Sequence, residues 1–166
     1  MNLQQKWLAA ASALAVSIPA LAAGNHAGGH GDGHAGGNPI GEPGQAARAT
    51  RTVRVDMIDA MRFVPDRIAV RRGETVRFVV RNKGQLKHEF VLGTLAEHQE
   101  HYEQMKRFPE MEHQDANMIT LPAGGQGEVV WRFTRAGTVH IACLQVGHYD
   151  AGMKGQVQVS NPRSSK

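Results

Sequence analysis

Three donors of graded softness fall within one short stretch, Cys143-Leu-Gln-Val-Gly-His148-Tyr-Asp-Ala-Gly-Met153. A thiolate, an imidazole and a thioether at this spacing suit one loop between two strands, and Gly147 and Gly152 let that loop turn tightly. A second imidazole is available at His88, just ahead of the apolar run Phe90-Val91-Leu92. Two histidines, a cysteine and a weaker methionine make up a mononuclear copper ligand set. The sulfur donors favour Cu(I) and the imidazoles also suit Cu(II), so both states can share one geometry. Singly, each residue has a plainer reading: Cys143 as a small core residue, Met153 as packing, His148 as a surface histidine. Together on one loop they favour a metal centre of His88, Cys143, His148 and Met153. Zinc is the chemical rival, and the thioether disfavours it.

Further His and Met residues form two looser groups. His26, His30 and His34 recur every four residues in a Gly-rich segment that could wrap a copper, nickel or zinc ion weakly. His98, His101, Met105, Met111, His113 and Met118 lie in a second group, interspersed with Glu97, Glu100, Glu103 and Glu110. His98 and His101 are three apart and share a face of a predicted helix. This group reads equally as an auxiliary copper site or as a polar helix surface with packing methionines. His140 alternates with inward-facing Val139 and Ile141, which predicts an outward side chain without a role.

The elements that must position these residues are mostly strands. Val53 and Val55, Ile68 and Val70, Val76, Phe78 and Val80, then Val129, Trp131 and Phe133 recur with period two. Val139, Ile141 and Cys143 share one parity, and Val157 and Val159 close the series. Many short strands separated by turn signals predict an all-β Greek-key sandwich or barrel. One segment breaks the pattern: Thr94-Leu-Ala-Glu97 is a capping box, the stretch to Arg107 is rich in helix formers, and Pro109 stops it. A helical insertion over about 94–108 is expected.

The 166 residues fit one domain once the ends are discounted. Residues 1–22 read as a secretory signal: Lys6 precedes the apolar run Trp7–Ile18, Pro19 breaks it, and Ala20-Leu21-Ala22 offers small residues for cleavage. The run is too short to span a bilayer comfortably, so the mature protein is expected to be periplasmic and not membrane-spanning. Residues 23–50 have hardly any large apolar residue and read as a flexible His/Gly-rich tail, 51–160 as the domain, and 161–166 as a disordered end. Export makes the single cysteine informative, because Cys143 has no disulfide partner in the chain. The formal charge of +4 comes without any Lys/Arg block, which argues against a nucleic-acid partner.

The domain resembles the cupredoxins, the family of plastocyanin, azurin and rusticyanin, and its C-x4-H-x4-M loop is similar in spacing to that of rusticyanin. His88-Glu-Phe-Val-Leu-Gly, Phe108-Pro-Glu-Met-Glu-His113, Asn117-Met118 and Gly147-His148-Tyr-Asp-Ala-Gly-Met-Lys-Gly155 resemble periplasmic cupredoxins linked to copper tolerance in proteobacteria. The resemblance implies one type 1 copper per chain, with His88, Cys143 and His148 as strong ligands and Met153 axial. It also marks a departure: Glu89 stands where many electron-carrier cupredoxins have an Asn supporting the cysteine loop. The implied function is Cu(I)/Cu(II) redox-active copper handling, with copper ions as the partner and the chain a monomer. The alternative is a dedicated soluble electron carrier between respiratory complexes, with a redox partner protein docking on an apolar rim of Leu144, Val146 and Ala151 near His148. No enzyme activity is expected, since the ligand sets of a trinuclear or binuclear copper centre and a Gly-x-Ser-x-Gly motif are missing.

Overall fold

A computed structural model describes residues 39–111 and 114–162. The strands in chain order are β1 (Glu42–Pro43), β2 (Arg51–Ile58), β3 (Arg62–Val64), β4 (Arg67–Arg71), β5 (Thr75–Asn82) and β6 (His88–Gly93). After helix α1 (Leu95–Arg107) come β7 (Met118–Leu121), β8 (Gln126–Arg132), β9 (Gly137–Ala142) and β10 (Lys154–Ser160). They form two five-stranded sheets, ordered β1-β8-β5-β2-β3 and β4-β10-β9-β6-β7. The all-β sandwich with one helical insertion is therefore the observed architecture.

Period-two patterning builds the core between the sheets. Val76, Phe78 and Val80 of β5 face Phe90 and Leu92 of β6 across the sandwich, with Val55, Val129, Trp131, Ile141, Val157 and Val159 around them. Phe90 sits at its centre, 5.4 Å from the Phe78 ring and 5.9 Å from Phe63 in an edge-to-face contact. Two strand pairs are parallel, β2 with β5 and β4 with β10. The β2·β5 pair brings the turn after β2 beside the residues that follow β5.

Strand β6 is buried along its whole length. One of its faces lies on the core and the other lies under α1. That helix starts at the expected capping box: the Glu97 N–H donates to Thr94 Oγ1 at 3.2 Å, and the Thr94 N–H donates to Glu97 Oε2 at 2.7 Å. Its inner residues Tyr102 and Met105 cover Val91, Met118, Ala142 and Leu144, a second apolar cluster outside the sandwich. Among the described residues no helix is long and apolar enough to cross a membrane.

The packed domain starts earlier than the expected boundary at Arg51. Ile40 is buried, its carbonyl accepts from the Trp131 indole N–H at 2.9 Å, and β1 pairs with β8. A single large apolar residue and a Trp donor far away in sequence tie down a segment whose composition reads as tail. The expected signal (1–22), the tail histidines and the last residues of the expected disordered end (163–166) lie outside the described residues.

Candidate metal centre

The loop between β9 and β10 carries three of the four expected ligands, and the first residue of β6 carries the fourth. Strand parity turns Cys143 into the sandwich just past the end of β9, where it is fully buried. The next ten residues fold back on themselves. The His148 N–H donates to Gln145 O and the Met153 N–H to His148 O, both at 3.0 Å, while the Cys143 N–H donates to Met153 O at 3.1 Å. Gly147 and Gly152 occupy left-handed conformations at φ 85° and 92°, which closes the loop without a Cβ penalty. Tyr102 of α1 braces it from outside, donating to Asp150 Oδ2 at 2.8 Å and accepting from the Gly147 N–H at 3.0 Å.

The donors converge. The Nδ1 atoms of His88 and His148 are 3.2 Å apart, and His148 Nδ1 is 3.4 Å from Cys143 Sγ. The ligand atoms of His88, Cys143 and His148 all lie within 4.8 Å of one another, the one such His/Cys/Asp/Glu group of three among the described residues. Nitrogen and sulfur hold metal ions of this class at about 2.0–2.3 Å, so this separation leaves room for a single ion between them. Met153 is fully buried at the end of the same loop. Borderline imidazoles and one thiolate, with the Met153 thioether on the same loop, fit copper.

The surroundings set the protonation states. Burial pushes the Cys143 thiol up to about 12, against the opposing pull of the Glu89 and Gln145 N–H groups. The metal-free thiol is thus protonated at neutral pH, and a metal must displace that proton. His148 is lowered, chiefly by burial and then by the nearby His88. Glu89 takes up the loop-supporting task at the position where the resemblance leads one to expect Asn. It is buried, its N–H donates to Cys143 Sγ at 3.3 Å, and its carboxylate accepts from the Leu144 N–H and from Thr120 Oγ1.

One participant was not anticipated from the sequence. Asp59, in the turn after β2, places Oδ1 2.9 Å from His88 Nε2. Its carboxyl is held below the usual range, first by the Gln85 N–H and then by His88. No local motif marks it, because the contact depends on the parallel pairing of β2 with β5.

The second His/Met group does not gather into a comparable site among the described residues. Met105 and Met118 are part of the apolar cluster beneath α1, and Met111 is exposed beyond the helix. His98 is buried and its Nε2 lacks a hydrogen-bond partner, while His101 is half-buried on the same helix. His140 does leave the core side of β9 as expected; it is half-buried and near enough to His98 to help lower that residue's pKa. His113, His26, His30 and His34 lie outside the described residues. Of the residues expected on the apolar rim near His148, Leu144 is instead fully buried, while Val146 and Ala151 are exposed, and Leu86 is exposed as well.

The family model for copper binding proteins of the plastocyanin/azurin family matches residues 49–160. The chain belongs to that family. This cupredoxin is 54% identical over 121 residues to the copper-resistant cuproprotein CopI of Rubrivivax gelatinosus, covering 73% of each chain. It is 37% identical over 148 residues to a protein of the same name from Pseudomonas aeruginosa, covering 72% of this chain and 81% of that one. Among solved structures, auracyanin B superposes with a TM-score of 0.59 at 22% identity, over 75% of this cupredoxin and 96% of auracyanin B. The auracyanin of Roseiflexus castenholzii gives 0.58 at 20% identity, over 68% and 98%. At these identities the auracyanins speak for the fold, and the family match for copper binding.

Proposed function

We propose that this cupredoxin is a periplasmic copper-handling protein that contributes to copper tolerance, holding one copper ion through His88, Cys143, His148 and Met153. The observation that carries the reading is the convergence of His88, Cys143 and His148 donor atoms within 4.8 Å in a buried pocket. The names of the curated relatives supply the direction, copper resistance. Copper held there would supply one-electron exchange between Cu(I) and Cu(II).

The chain's own residues make that exchange cheap in structural terms. The backbone hydrogen bonds within 143–153, with Tyr102 and Glu89 bracing the loop, keep the donors in place before any ion arrives. Burial of His88, Cys143 and Met153 keeps water away, while half-exposed His148 leaves one imidazole edge toward solvent. Placement in the periplasm rests on the signal-like segment Lys6 to Ala22. Extra copper on the tail and insertion histidines belongs to the same reading, as weak and exchangeable binding. The dedicated respiratory carrier draws no support from relatives named for copper resistance.

Cu(II) titration followed by visible absorption and EPR tests the site: an intense thiolate-to-copper band that is lost in Cys143→Ser is expected, and a colourless wild-type protein would refute it. Deleting the gene tests the role. Copper sensitivity with intact respiration is expected, and a respiratory defect without copper sensitivity would favour the carrier.

A further inference from the structure

The turn after β2 and the residues just after β5 together hold a carboxylate against the rear of one metal-facing histidine. Asp59 Oδ1 is 2.9 Å from His88 Nε2, and this contact is built rather than incidental. The Gln85 N–H donates to Asp59 Oδ2 at 2.7 Å and the Leu86 N–H to Oδ1 at 3.3 Å. Those two N–H groups are aimed by Asn82, which is buried at the end of β5. Its Oδ1 accepts from the Gly84 N–H at 2.9 Å and its Nδ2 lies 2.7 Å from Leu86 O. A Cβ at Gly84 would fall 1.9 Å from Asp59 Oδ1, so only glycine lets the carboxylate come this close.

A carboxylate can only accept, so the shared proton sits on His88 Nε2. A neutral imidazole protonated at Nε2 presents a bare lone pair at Nδ1, and His88 Nδ1 is the atom that faces His148 Nδ1. A full negative charge on the far side of the ring also raises the donor strength of Nδ1.

We infer that Asp59 is the positioning residue of the copper centre, fixing His88 as an Nδ1 ligand and, through its charge, biasing the site toward Cu(II). This inference rests on the copper reading above. Partners of this kind change metal affinity by about 10- to 100-fold when removed. If that change falls on Cu(II) alone, it corresponds to a rise in reduction potential of about 60–120 mV for a one-electron couple.

Two variants of the full chain test it. Asp59→Asn removes the charge and leaves one amide oxygen for which His88 Nε2–H and the Gln85 N–H compete; Gly84→Ala keeps the charge and drives the carboxylate off the ring. Asp59→Asn is expected to retain the visible thiolate band with a potential raised into that range. Gly84→Ala is expected to raise the potential as well, and in the metal-free protein to lose the Nε2-protonated His88 signal in ¹⁵N NMR that wild type shows. An unchanged potential in Asp59→Asn, or a metal-free wild type with His88 protonated at Nδ1, would overturn the inference. A wild type without the visible band would sink the copper reading instead, and the NMR measurement on metal-free protein still decides the Asp59 contact.

Discussion

Two regions of this cupredoxin are rich in metal-binding residue types, and they are put to different uses. At the end of the sandwich, His88, Cys143 and His148 converge from β6 and one loop, with Asp59 hydrogen-bonded to the far side of the His88 ring and the Glu89 N–H donating to Cys143 Sγ. Beneath α1, Met105 and Met118 interlock with Val91, Ala142 and Leu144, and His98 of the same helix is buried with Nε2 unpaired. What separates a metal centre from a packed cluster is convergence supported from behind, and composition alone does not supply it. The loop between β9 and β10 can turn donors toward one point, whereas a helix laid on a sheet points its inner face at apolar surface.

That contrast can be broken most directly at Cys143. Cys143→Ser is expected to abolish the visible thiolate band and the associated EPR signature while the sandwich still gives a β-type circular dichroism spectrum. Retention of the band would place the copper thiolate elsewhere, and no other cysteine is available.

Met105→Ala attacks the other region. Removing this buried side chain is expected to cost about 2–5 kcal/mol in chemical denaturation, with the visible band of the copper-loaded protein preserved. Loss of the band at unchanged stability would make Met105 a ligand rather than packing.

His98 gives the helix region a pH signature. Its folded-state pKa is lowered to about 4, by burial first and then by the charges of His140 and His101. In the unfolded chain it titrates near 6.5, so the unfolded state binds its proton first as pH falls. Stability linked to His98 is therefore fully present above pH 6.5 and declines as pH drops toward about 4, by about 3 kcal/mol in all. Denaturant melts of wild type and His98→Gln across that window are expected to converge as pH falls, since the variant lacks this slope. Parallel curves would show that His98 does not carry it.

Tyr102→Phe probes the link between the regions. It removes the hydroxyl that donates to Asp150 and accepts from the Gly147 N–H. A loss of about 1 kcal/mol is expected, together with broadened EPR lines from a less uniform ligand loop. Unchanged lines would mean that the loop's internal hydrogen bonds suffice.

Much of this was legible before any coordinates. Period-two patterning located most of the large strands, because a half-buried strand must alternate. The Thr94–Glu97 capping box marked the helix start to the residue. His88, Cys143 and His148 were identifiable because donor chemistry and loop spacing are local properties. Strands β1, β3 and β7 were missed, since two to four residues carry too little periodicity to stand out.

Residue types and short-range spacing thus determined the sheet-rich fold, the helix and the donor set. Tertiary structure alone decided that Ile40 anchors an ordered start, that Leu144 and Met118 pack rather than face a partner or an ion, and that Asp59 backs His88. Each of these depends on which strands become neighbours, and β2 meets β5 through pairing between residues some 25 positions apart. Side-chain alternation reports which face of a strand is buried, but it carries no record of what that face will meet.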